Sequence, residues 1–255
     1  MSKIPVNHIA AVGVIHRAQD PREIFTEMKD RGHPMPMARG RLCCIGGNWI
    51  GPDAKGDRGP RGTFTRAMEQ EISFDRPVRS ATGRELLGLA KDEHFAPTPI
   101  SGIQVTANDE AHLCMLKQGI TELAQPFGDF VTTISTSVLD AADPGNTREG
   151  FSFLGSYFAV PLPEDVWSVM LALQEKFGNL SNSSMSLVTS LDQIIATNTR
   201  WFAHDRVMQQ FFREMGFVAA EQLPLVPGIS SVRVGIPLDT YAEYLDRYDV
   251  AKMPA

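Results

Sequence analysis

Cysteine is scarce in this sequence, with only three in 255 residues: Cys43, Cys44 and Cys114. The number is odd and no pair has C-x-x-C spacing, which argues against a disulfide framework or a zinc site. Buried reduced thiols are the expectation, and with them a cytoplasmic location. Positive charge is also short. Lys and Arg number 24 against 30 Asp and Glu, a net charge of −6. An extended nucleic acid is therefore not an expected partner, because nonspecific binders carry a basic balance or a basic stripe. Long apolar runs are missing. The stretch Ile9–Ile15 falls far short of the roughly 20 residues of a membrane span, so no membrane partner is expected. Met1–Pro5 opens no long apolar segment of the signal-peptide kind. Internal repeats and low-complexity tracts are absent from the sequence as well. What remains is an ordinary globular composition, 43% hydrophobic and 21% charged.

Along the chain, His8–Arg17 is β-branched and apolar and reads as a buried strand, and Glu23–Met28 is a second, short strand candidate. Arg41–Ile45 reads as a third strand ending at the Gly46-Gly47 pair. Residues 48–62, with four glycines and two prolines, read as a loop. Thr63 or Thr65 would then cap a helix over about 66–73. Thr82–Lys91 is a candidate short helix. Asn108–Leu123 is a stronger one, with Leu113, Leu116, Ile120 and Leu123 at helical spacing. Asp129–Leu139 is rich in Val, Ile and Thr and reads as a strand. The Asp143-Pro144-Gly145 turn and the strand Phe151–Val160 follow it. Pro163 and the acids after it open a helix that stops at Gly178. Met185–Thr189 is a strand, and Ser190 to Gln193 has the form of a capping box. Asp205–Met215 is amphipathic. A strand at Ser231–Ile236 and a short helix from about Asp239 end the pass.

The stretch Gly46 to Phe74, GGNWIGPDAKGDRGPRGTFTRAMEQEISF, carries the chemistry. It resembles the Nudix box of pyrophosphohydrolases acting on nucleoside diphosphates linked to another group, G-x5-E-x7-R-E-U-x-E-E-x-G-U, with U a bulky apolar residue. Gly47 takes the glycine, Arg66 the arginine, Met68 and Phe74 the bulky positions, and Glu71 the last glutamate. Ala67, Gln70 and Ser73 stand in place of two glutamates and the second glycine. Two registers remain for the loop acid. Gly47-x5-Asp53 keeps the family spacing but leaves twelve residues before Arg66, and Gly51-x5-Asp57 leaves eight. The Asp53 register fits better, because Gly46-Gly47 after a strand matches the family's entry into the box. A second patch, Ser186–Phe212, is similar to the closing strand, turn and helix of many Nudix domains.

The resemblance implies an α/β (α+β) fold, a mixed sheet sandwiched between helices. Its extent would be a Nudix-like domain over 1–220, with an insertion at about 80–128, and a C-terminal extension over 221–255 packed on that domain. It also implies a site. Catalytic candidates are Glu71, Glu69 and Arg66. Gly46, Gly47 and Trp49 are substrate-binding candidates, and Glu71, Asp53 and Asp57 are candidate ligands for Mg²⁺ or Mn²⁺. Hard cations of this kind need charged oxygens to offset their dehydration. With two carboxylates missing, two readings follow. One is a divergent hydrolase cleaving a nucleotide-like small molecule with Mg²⁺, which the retained glycines, Arg66 and Glu71 favour narrowly. The other is an inactive Nudix-fold protein that binds a nucleotide or another protein. The middle insertion and the tail are candidates for a homodimer surface or for substrate specificity.

Overall fold

The computed structural model describes residues 3–51, 57–79, 96–142 and 149–251. In chain order the strands are β1 (Ile4–Val6), β2 (His8–Arg17), β3 (Glu23–Met28), β4 (Leu42–Cys43), β5 (Ile45–Asn48), β6 (Gln125–Ile134), β7 (Phe151–Leu162), β8 (Met185–Ser190), β9 (Ile229–Gly235) and β10 (Tyr248–Val250). The helices among the described residues are α1 (Pro60–Glu71), α2 (Ala107–Glu122), α3 (Thr136–Ala142), α4 (Glu164–Phe177), α5 (Leu191–Thr197), α6 (Asp205–Glu214) and α7 (Tyr241–Arg247). The candidate helix Thr82–Lys91 and the Asp143-Pro144-Gly145 turn lie outside the described residues.

β2 reads as a continuous apolar run because it is covered on both sides. Ala10, Val12 and Val14 face a core closed by α5 and α6, which contribute Leu191, Ile194, Val207, Met208, Phe211 and Phe212. Ala11 and Ile15 face the opposite core, with Phe64 and Met68 of α1, Leu116 and Ile120 of α2, and Trp167 and Met170 of α4. Strands buried on both faces lose the alternation of half-exposed ones. The resulting eight-stranded sheet runs β4-β3-β2-β7-β6-β9, with β5 also on β2 and β8 also on β3. The β2–β7 pairing is parallel, and its other described pairings are antiparallel. The architecture is thus the expected α/β (α+β) type, a mixed sheet between helices.

Several boundaries differ from the sequence expectation, each for a local reason. The third strand splits into β4 and β5, and Gly46 and Gly47 lie inside β5, paired with Val12 and Ala11. The helix of the box starts at Pro60, not near Thr65. Gly59 is its N-cap and Pro60 takes the first turn, where a missing N–H costs nothing. The residues read as one loop over 48–62 therefore belong in part to β5 and α1. The strand expected over 129–139 stops at Ile134, and Thr136 opens α3 instead. Thr106, not Asn108, caps α2, through a capping box with Asp109.

The C-terminal residues are tied in at several points. β9 adds to β6, and β10 pairs with β1. Tyr244 donates to the buried Asp129 carboxylate at 2.9 Å, which also accepts from Ser156 at 2.7 Å. Burial holds that carboxyl above its ordinary pKa. The backbone at Asp239 and Thr240 crosses α1 at its start, where Tyr241 N–H donates to Arg58 C=O at 2.9 Å. A methyl group on Gly59 would overlap the Asp239 carbonyl oxygen. Gly59→Ala is therefore expected to lower unfolding stability by roughly 1–3 kcal/mol, the usual cost of forcing extra volume into a closed contact. Urea denaturation of the variant measures this, and an unchanged midpoint would mean that the crossing is loose.

Candidate functional site

α1 lies against β5 and β2 at a distance only small residues allow. A Cβ on Gly47 would sit 2.8 Å from the Ala67 Cβ, and one on Gly46 would sit 2.5 Å from the Ala11 carbonyl oxygen. Gly47 and Ala67 are thus explained by close approach of helix and strand, and Gly46 by close approach of β5 to the β2 backbone. Ala67 itself is only 2% exposed. The position at which the family places its first helix glutamate is here a sealed packing contact.

Arg66 is the hub of the corner. Its Nε donates to both oxygens of Asp57 at 3.1 Å, and Nη2 donates to Oδ2 at 2.8 Å. Nη2 also donates to the Asn48 carbonyl at 2.7 Å, and Nη1 donates to Gln70 Oε1 at 3.0 Å. Arg66 therefore reaches back to the loop acid nine residues earlier, not forward to Glu71. The Asp57 side chain is 1% exposed. It accepts a further bond from Thr63 at 3.1 Å, and the Thr63 hydroxyl lies 2.7 Å from the Tyr241 hydroxyl. Trp49 completes the corner, stacking on Tyr241 with ring centroids 4.4 Å apart. Its Nε1 is buried without an acceptor.

The remaining carboxylates do not converge. Glu69 is exposed on the outer side of α1 and pairs with Lys117 of α2 at 3.3 Å. Glu71 lies at the far end of α1. Its charge reaches Lys29 and Cys43, and its Oε2 is buried with no hydrogen-bond partner. Asp53 lies outside the described residues. Among the described residues no three His, Cys, Asp or Glu side chains are grouped as metal ligands. Asp57 is committed to Arg66 and Thr63, and Gln70 to Arg66. The described donor set therefore fits Mg²⁺ or Mn²⁺ poorly, since such ions need several free charged oxygens.

A polar cluster that the sequence reading missed lies on the other side of Glu71. Cys43 on β4 stands opposite Glu27 on β3. Lys29 Nζ donates to Glu27 Oε2 at 2.7 Å, and Ser181 donates to Oε1 at 2.5 Å. Cys43 Sγ lies 3.1 Å from His204 Nε2, and His204 Nδ1 lies 2.7 Å from the Tyr157 hydroxyl. Burial pushes the Cys43 thiol up to about 11, the Lys29 charge only partly opposing it. Burial, then Lys29, pushes His204 down to about 3. Both groups are neutral near pH 7, so the Cys–His pair lacks the thiolate that a cysteine nucleophile needs. Burial works against the Lys29 charge too, but its neighbours, with the Glu27 carboxylate foremost, more than offset it. One sequence signal was available: Glu27 and Lys29 sit at the end of a strand candidate, where charges that become buried require partners.

Two outcomes follow from this geometry. Arg66→Ala strips the buried Asp57 of its main partner and should cost about 3 kcal/mol of unfolding stability, with Arg66→Lys recovering only part of it. Denaturation midpoints of the two variants check this, and a wild-type midpoint for Arg66→Ala would contradict it. The second concerns acid. His204 binds its proton at about 6.5 when unfolded and at about 3 when folded, so its contribution is complete above about pH 6.5 and is lost as pH falls towards 3. Over that window it adds a slope of about 1.4 kcal/mol per pH unit. His204→Gln should flatten the acid limb of the stability curve between about pH 6 and 4 by that amount.

No family model matches the sequence, and no curated protein matches it. Among solved structures, a NUDIX hydrolase from Alicyclobacillus acidocaldarius aligns with 88% of this chain and 87% of its own, at 15% identity and a TM-score of 0.34.

Proposed function

We propose that this chain is a binding module built on a Nudix-like plan, holding a nucleotide-like small molecule without cleaving it. One observation carries the reading. The residues at the box positions are consumed by a structural latch: Arg66 by Asp57, Asn48 and Gln70, Asp57 by Thr63, and Ala67 by its contact with Gly47. Metal-assisted pyrophosphate cleavage requires carboxylates free to hold a cation against the phosphates. Glu71 keeps a carboxylate oxygen without a hydrogen-bond partner, but that oxygen is buried and feels Lys29 and Cys43, while Glu69 is drawn to Lys117 on the exposed side of α1.

The test is a hydrolysis panel of dinucleotides and nucleotide sugars with Mg²⁺ and with Mn²⁺, alongside calorimetry for binding of the same compounds. Binding with no metal-dependent turnover is expected. Rewriting the family acids, as Ala67→Glu with Gln70→Glu, should lower the melting temperature rather than create activity. A carboxylate at 67 would be forced into a sealed contact, at a cost of about 2–4 kcal/mol. Metal-dependent turnover by the unmodified chain, abolished by Glu71→Gln, would overturn the proposal in favour of a divergent hydrolase.

A further inference from the structure

A second polar site lies away from the α1 corner and shares none of its residues. It is a cavity of about 430 Å³ between the turn at Pro36–Ala38, the start of β4, α3 and the Val226-Pro227 segment. Three arginines line it, Arg39, Arg41 and Arg200, and among the described residues that line it none is acidic. Three guanidinium groups in one cavity repel each other unless an anion sits between them.

The arginines are held there by the backbone. Arg41 follows Gly40, whose φ of +67° turns the chain into β4. Its N–H donates to the Ala38 carbonyl and its C=O accepts from Lys29, so its Cα is fixed on both sides. The Arg200 carbonyl accepts from Leu42 N–H and anchors the neighbouring segment. Arg39 Nε donates to the His33 carbonyl at 3.0 Å, which leaves its terminal nitrogens for the cavity. Arg41 Nη1 is buried and has no hydrogen-bond partner among the described residues. A buried guanidinium N–H without an acceptor is costly. The acid felt by Arg41 is Asp205, but its oxygens already accept from the backbone N–H groups of Val226 at 2.7 Å and Arg206 at 2.9 Å. Burial, then the Arg200 charge, depresses the Arg41 pKa. An anion in the cavity would relieve both.

The walls narrow the ligand class. Met37 and Val138 are apolar and buried, while Ser137 adds a hydroxyl at the rim. The volume exceeds what an inorganic ion fills and suits a small organic molecule. Planar guanidinium forks match phosphate oxygens two at a time. We propose that this cavity binds a small organic phosphate, its phosphoryl group held by Arg41, Arg200 and Arg39 and its apolar body against Met37 and Val138.

The proposal does not rest on the reading of the α1 corner, and its test is separate. Calorimetry and thermal unfolding of the full chain are run with phenyl phosphate, inorganic phosphate and phenol, at matched ionic strength. Phenyl phosphate should bind and raise the melting temperature, inorganic phosphate more weakly, and phenol not at all. Arg200→Ala, at an exposed position, should weaken phenyl phosphate binding by about tenfold or more, the scale of one charge-assisted contact. Arg41→Gln should abolish it while melting no lower than the wild type without ligand, because an unpaired buried charge has been removed. If that variant fails to fold, Arg200→Ala decides alone. Absence of phenyl phosphate binding to the unmodified chain would overturn the proposal, and so would binding that Arg200→Ala leaves unchanged. Arg66→Ala should leave the binding intact, so a result at this cavity stands whatever the hydrolysis panel gives.

Discussion

The corner of this fold depends on the pairing of Arg66 with Asp57. A carboxylate with 1% of its side chain exposed has given up nearly all its water and must recover that loss from the protein. Guanidinium suits the task because its five N–H groups lie in one plane and can serve several acceptors at once. Here it bonds Asp57, the Asn48 carbonyl at the end of β5 and Gln70 one turn on in α1. Through Thr63, the same carboxylate is linked to Tyr241 on α7. Loop, strand, helix and C-terminal residues thus meet at one ion pair. A lysine, with a compact charge and no fixed fork, could not span the same acceptors.

That arrangement also decides the chemistry available to the box. Once Arg66, Asp57 and Gln70 satisfy each other, and Ala67 fills the contact with Gly47, little is left to hold a cation. Glu71, the remaining glutamate of the pattern, makes no bond to the latch, and its charge acts on Lys29 and Cys43 of the neighbouring polar cluster. The two arginine-containing regions are therefore physical opposites. At the α1 corner every guanidinium nitrogen of Arg66 has an acceptor. At the cavity beside β4, arginines crowd together with a buried donor unsatisfied. The first is the signature of a structural element, and the second is that of a site built for an anion.

Much of the fold was readable before the coordinates, because the signals were local. Strands β2 and β3 match their sequence reading residue for residue, since β-branched runs bounded by turn residues have few alternatives. The capping box at Ser190 and Gln193 formed as its spacing implied. Errors fell where two signals competed. Pro60 could open a helix or lengthen a glycine-rich loop, and packing of Phe64 and Met68 into the core chose the helix. The Val- and Thr-rich stretch after Ile134 turned into α3, because Val138 and Leu139 are buried in a separate small core with Ile134 and Phe153.

By itself, then, the sequence determined the alternation of buried strands and amphipathic helices, the box-like run from Gly46 to Phe74 and the short list of charged residues that could matter in it. It could not say which acid Arg66 would choose, because candidates within one loop differ by a few residues of spacing and the chain can bend to reach either. Tertiary structure decided that Asp57 is the partner of Arg66, that Ala67 is sealed and that the Glu71 charge acts on a different cluster. It also brought Arg200 to Arg39 and Arg41, from which it is distant in sequence and with which it shares no pattern there. Periodicity reports which face of an element is buried. The partners that face will meet depend on how the sheet orders its strands, and that order arises only when the whole chain has packed.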